Sequence, residues 1–265
     1  MQEVRQNAAP GRKGKLTPVI INHYVRLVYR GALFLGMLFL YIMGKVQGKE
    51  LMLGTLESNP LLLRIIWVVF TVEMACRFFP SRIESPGSQK QFLRNYQKTG
   101  DTHIEIQENN ATMLVLIIWI AFNMVFWGLF QAGIVGEGFM LLLSCAYSVC
   151  DMICILFFCP FQSWFLKNKC CSACRIYNWD YAMMFTPLVF IWNRYTWSLL
   201  VLSIGLLLRW EITFFLHPER FSEKTNAYLR CANCTEKLCT HKKQLHTLWK
   251  SIAQFSAERA RALRK

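Results

Sequence analysis

Two apolar runs, Thr112 to Ile134 and Phe139 to Phe158, are separated by only Val135-Gly136-Glu137-Gly138. Each is close to the roughly 20 residues that carry a helix across a hydrocarbon layer. A short glycine-bearing turn joins antiparallel neighbours, so the pair is expected to form a tight helical hairpin.

Three further segments share this character. Gly31 to Gly44 is short for a span, and lengthens if Arg26 and Arg30 snorkel from the preceding turn. Pro60 to Phe79 starts on a proline, whose missing amide hydrogen costs nothing there, and stops at Pro80. It carries Arg64 and Glu73. Ala182 to Phe215 is broken by Pro187 and by Asn193-Arg194; Tyr195 to Phe215 is long enough to span, whereas Ala182 to Trp192 is not.

The expected fold class is therefore all-α: a polytopic integral membrane protein with about four transmembrane helices plus a broken or re-entrant fifth hydrophobic segment. A basic N-terminal arm (1–30) precedes helices 1 and 2 (31–80), a polar loop (81–111) and the hairpin (112–158). A Cys-rich loop (159–181), the re-entrant hairpin or fifth span (182–216) and a basic Cys/His tail (217–265) follow. The composition, 54% hydrophobic and 17% charged, is too apolar for an ordinary soluble domain. Within the polar loop, the alternation Thr102 to Gln107 suggests a short strand or extended stretch, and the loop is too small for a core of its own.

Charge sets the expected orientation, because Lys and Arg resist translocation. Thirty Lys+Arg against sixteen Asp+Glu leave a net +14. The Val135 to Gly138 turn has none of the basic residues, while the arm, the polar loop and the Cys-rich loop are all basic. Those segments, with the N-terminus, are expected in the cytoplasm, facing anionic headgroups and open to a protein partner. The tail holds eleven Lys+Arg and belongs there too, which requires 182–216 to enter and leave on one side; a plain fifth span with an external tail is the alternative. Nucleic acid is not an expected partner, since no binding motif accompanies the charge. The long polar N-terminus is unlike a cleavable signal, and the membrane expected is a cytoplasmic or plasma membrane.

Eleven cysteines, an odd number, rule out complete intramolecular pairing. Cys231 and Cys234 stand at C-x2-C spacing, which lets two thiolates grip one ion from a tight turn, and Cys239 or His241 can complete the shell. Cys171 and Cys174 repeat that spacing in the loop, so a shared four-thiolate site is conceivable if loop and tail lie on one side. Zinc or an iron-sulfur cluster suits such ligands. Free thiols, apolar fillers or acylated juxtamembrane cysteines are the plainer alternatives.

Glu73 and Asp151 are expected at membrane depth, where a carboxylate is costly and faces a partner or water. Glu73 sharing a proton, or Arg64 as counter-ion, would suit Asp151. Arg64 and Glu73 lie about 13 Å apart along one helix and cannot pair together. Cys150 and Cys154, beside Asp151, read as packing residues. Asn178 and Asp180, in an aromatic stretch at the membrane surface, are candidates for a headgroup or ion. Arg209 and Glu211 read as interfacial anchors, and 241–265 as an amphipathic helix.

Phosphate-loop, H-E-x-x-H, G-x-S-x-G and G-x-G-x-x-G signatures are absent, which lowers the standing of the usual soluble enzyme classes. The leading expectation is a membrane protein with a cytoplasmic Cys-rich metal site, structural zinc or redox-active iron-sulfur. A small transporter or channel using Glu73 and Asp151 comes second. A membrane enzyme acting on a lipid-linked substrate comes third.

Overall fold

The computed structural model describes residues 17–48, 56, 58–106, 109–166, 170, 172–234, 236, 238 and 239. The helices are α1 (Pro18–Val46), α2 (Pro60–Arg77), α3 (Pro86–Gln89), α4 (Asn109–Gln131), α5 (Glu137–Leu156), α6 (Asp180–Phe185) and α7 (Arg194–Leu216). The described residues form no strand beyond a single antiparallel bridge, Lys98 to Asn226. The alternating stretch from Thr102 to Ile106 is irregular chain.

Helix α1 begins thirteen residues before the expected Gly31, giving 29 residues in place of a short anchor. Thr17 and Pro18 explain this. The Thr17 Oγ1 accepts from the Ile20 amide at 3.4 Å, and Pro18 occupies the first helical position, where it is pre-set for the turn. Arg26 and Arg30 thus lie inside the helix, and both are buried rather than snorkelling.

Helices α4 and α5 run antiparallel and meet through large rings, Trp119 with Tyr147 at 4.7 Å and Phe126 with Phe139 at 5.8 Å, rather than by the close approach of a tight hairpin, and the turn between them opens earlier than expected. Gly133 takes φ +70°, and the amides of Gly133 and Ile134 donate to the carbonyls of Phe130 and Leu129, ending α4 in a glycine C-cap. Among the described residues four helices are long and apolar enough to cross a membrane: α1, α4, α5 and α7. That set is compatible with an integral membrane protein. Helix α2, expected as the second span, is not in it; Arg64, Glu73 and Arg77 interrupt its apolar character.

Contacts fix the course of the chain. Helices α1 and α5 run antiparallel, meeting at Arg30 and Asp151 and again at Tyr41 and Phe139. Helices α2 and α7 run parallel, joined by Trp67 to Ser198 at 2.7 Å and by Arg209 to the Phe78 carbonyl at 2.6 Å. Segment 180–216 is a hairpin with unequal arms. Its short arm, α6 and the 3-10 turn Thr186–Phe190, climbs beside α5 through Ser144 to the Met184 carbonyl, and α7 descends after Asn193. Asn193 caps α7, its side chain accepting from the Tyr195 amide at 2.9 Å.

One end of the bundle carries a polar cap made from the chain after α2, the chain before α6 and the chain after α7. The polar loop was expected to lack a core, yet Glu84 to Gln91 are buried, because the other two segments enclose them. Lys90 Nζ donates to the Ser172 and Cys174 carbonyls at 2.9 and 2.8 Å, and Arg220 to the Gln91 carbonyl at 3.0 Å. Gly87 packs so tightly on Tyr177 that a Cβ there would lie 2.8 Å from the ring. Residue 236 meets the start of α1, where His23 Nε2 lies 3.0 Å from Glu236 Oε1, so the chain after α7 returns to the end where α1 begins.

Candidate functional site: a buried chain of alternating charges beside a cavity

Arg26 and Arg30 lie four positions apart on α1, as Glu73 and Arg77 do on α2, so each pair occupies one helix face. The two faces meet, with Glu84 just beyond α2, Asp151 on α5 and Asp180 at the start of α6 closing around them. The result is one continuous chain of acid and base. Asp180 Oδ2 lies 2.6 Å from Arg77 Nη1, and Arg77 Nε lies 3.9 Å from Glu84 Oε2. Glu84 Oε1 lies 2.5 Å from Arg26 Nη2, and Arg26 Nε lies 2.8 Å from Glu73 Oε1. Glu73 Oε2 then meets Arg30 Nη2 at 2.9 Å, and Arg30 Nη1 meets Asp151 Oδ2 at 3.1 Å.

The three guanidinium side chains are 7%, 0% and 2% exposed for Arg26, Arg30 and Arg77, so water does not solvate them and the partners must. Neutral groups complete the shell. Tyr181 OH donates to Glu73 Oε2 at 3.2 Å, Arg30 also donates to the Ser148 carbonyl at 3.3 Å, and the Tyr181 ring lies 4.6 Å from the Arg77 guanidinium carbon. At Glu84, outside the long helices, burial pushes the carboxyl up, but Arg77 and Arg26 outweigh it and hold it below its usual range.

Among the described residues four carboxylates face three guanidiniums in this chain, a formal surplus of one negative charge. Both chain ends, Asp151 and Asp180, line one cavity of about 140 Å3. Among the described residues that line it, those two are the only charged ones; the rest are aromatic, apolar, thiol or amide. Asp180 is 9% exposed, and its Oδ1 accepts no hydrogen bond from the described residues.

Several expectations change here. Asp151 takes Arg30 as counter-ion, not Arg64, which is exposed, and it meets Glu73 only through Arg30. Asn178 and Asp180 are buried, not displayed at a surface, and both engage Arg77, Asn178 at 3.3 Å. Arg209 and Glu211 are bound within the protein, Arg209 on the Phe78 carbonyl and Glu211 by Arg175 and Trp179. Cys150 and Cys154 line the cavity. Arg26, Arg30, Arg77 and Glu84 escaped sequence reasoning; the spacing of His23, Arg26 and Arg30 along one helical face was the available signal.

The cysteine clusters are brought together in part. Cys239 Sγ donates to Cys170 Sγ at 3.7 Å, joining tail to loop, and this hydrogen bond draws the Cys170 thiol down to about 6. Cys174 is buried in the cap, Cys231 is exposed on the turn Cys231–Asn233, and Cys234 is half-buried. Cys171, His241 and the expected helix 241–265 lie outside the described residues. Among the described residues no group of three or more His, Cys, Asp or Glu is placed to hold a metal ion. No family model, curated protein or solved structure matches this chain.

Proposed function

We propose that this is a small polytopic membrane transporter or channel whose bundle holds one positively charged solute, the proton included, at Asp151 and Asp180. The carrying observation is the charge chain with one base too few, both of whose ends open on the same cavity. Ionisable residues at membrane depth mark substrate or proton pathways, and a cavity with convergent polar groups is the default binding site. Lipid contact is supported by the outward faces of α2, α4 and α7, where Val68, Val72, Ile117, Val125, Val201 and Leu208 are all exposed. The basic residues of the cap, which resist translocation, support a cytoplasmic location for it.

Purified protein in liposomes tests this directly. Flux of protons, inorganic cations and small ammonium ions is followed under an imposed potential; Asp151→Asn is expected to abolish the active one. Flux that is the same in wild type and Asp151→Asn sinks the transport reading.

A second reading is favoured by the Cys170 to Cys239 contact: a loop-to-tail thiolate site for zinc or an iron-sulfur cluster, drawing further ligands from Cys171, Cys174, Cys231, Cys234 and His241. Elemental analysis and visible absorption of anaerobically purified protein test it. Stoichiometric metal lost in a Cys231→Ser, Cys234→Ser variant supports the site, and metal-free wild type removes it.

A further inference from the structure

We infer that the solute completing the charge chain is an organic ammonium ion with an apolar body. This rests on the proposed cation site and names its substrate class. The missing member of the chain is a cation between Asp151 and Asp180, since every other link alternates in sign and these two carboxylates share the cavity wall. Other buried ionisable side chains nearby are already engaged: Arg175 with Glu211, His23 with Glu236, and Lys90 with two carbonyls.

The cavity selects among cations by size and chemistry. A proton needs no volume, whereas about 140 Å3 is roughly ten times what one water requires by the same measure. A hard metal ion takes about six or more oxygen ligands, and among the described residues no cluster of even three acidic, thiol or imidazole groups is placed for one. The wall suits a body that is both apolar and positive. Trp119 and Tyr147 pack with ring planes tilted 58° and centroids 4.7 Å apart, Phe161 and Met183 add apolar and polarisable surface, and aromatic faces attract ammonium groups. Asp151, whose side chain is 16% exposed, is the carboxylate open to the charged head, and Asp180, whose buried Oδ1 accepts nothing from the described residues, adds its charge from the cavity wall.

Thermal-shift and calorimetric titration of the detergent-solubilised full chain with benzyltrimethylammonium tests this, using benzyl alcohol as the neutral control. Saturable binding of the ammonium but not the alcohol is expected, weakened about tenfold or more by Asp180→Asn, the scale of one charge-assisted contact. Cys150→Phe adds a ring at the cavity wall while leaving all seven charges in place, and is expected to block binding even where Asp180→Asn folds poorly. Equal binding of the alcohol, or ammonium binding untouched by Cys150→Phe, overturns the inference. So does proton flux abolished by Asp151→Asn without any ammonium binding, a result that leaves the transport reading standing. Failure of that reading is separate: no cation flux that depends on Asp151, whatever binds.

Discussion

Arg30 in the bundle and Lys90 in the cap are both completely buried cations, and they are stabilised in opposite ways. Arg30 is answered by charge, with Glu73 and Asp151 at 2.9 and 3.1 Å, in a chain where acid exceeds base. Lys90 is answered by neutral dipoles and rings: two carbonyls, with Trp210 and Phe221 centroids at 5.3 and 5.4 Å. Burial consequently pushes Lys90 down to about 7, so the cap can discharge its cation near neutral pH. The bundle, in surplus of carboxylate, gains from an added positive charge instead. On the proposed reading the first region is the binding site, while the second is a scaffold that clamps the Cys-rich loop.

The largest effect that would sharpen this contrast comes from Arg30→Met. It leaves Asp151 with no guanidinium and Glu73 with Arg26 alone, and a loss of about 3–5 kcal/mol is expected in unfolding experiments. Adding Asp151→Asn should recover part of that loss; a strictly additive double variant would show that the chain is not a coupled unit.

Lys90→Met comes next, leaving two buried carbonyls unanswered at a cost of about 1–3 kcal/mol. Its pH signature is distinctive. Between about 7 and 10.5 the unfolded chain binds a proton that the folded chain does not, so wild-type stability rises with pH across that window. Lys90→Met should flatten this rise in pH-dependent melting curves. Glu84 acts at the other limb. Its depressed carboxyl contributes stability above 4.5 that is lost as pH falls through the lower folded value, and Glu84→Gln should remove that acid-side slope.

Gly87→Ala tests the rigidity of the cap, where the new methyl collides with the Tyr177 ring; about 1–3 kcal/mol of destabilisation is expected, read as a lower melting temperature. Arg64→Gln should be the mildest. Its side chain is exposed and stands outside the charge chain, so stability should hold within about 0.5 kcal/mol. A large loss there would break the separation between charges that the bundle uses and those it displays.

The apolar runs by themselves determined the helices. Their length, the glycines at 136 and 138 and the Pro60 start made α2, α4 and α5 legible, because helix propensity, caps and hydrophobic length are local properties. Glu73 and Asp151 stood out as costly for the same reason: a carboxylate in an apolar run is conspicuous without knowledge of its neighbours. Thr17-Pro18 was an equally local signal for the start of α1, but the long polar stretch around it, with Arg5, Arg12, Lys13 and Lys15, suggested an arm. The partners were a different matter. Arg30 lies 121 positions from Asp151, and Arg77 lies 101 from Asn178. Charge attraction carries no sequence register, so nothing short of the packed bundle could select Arg30 over Arg64 for Asp151. The surplus of acid over base, and the cavity on which both ends of the chain converge, exist only once five separate segments have closed around them.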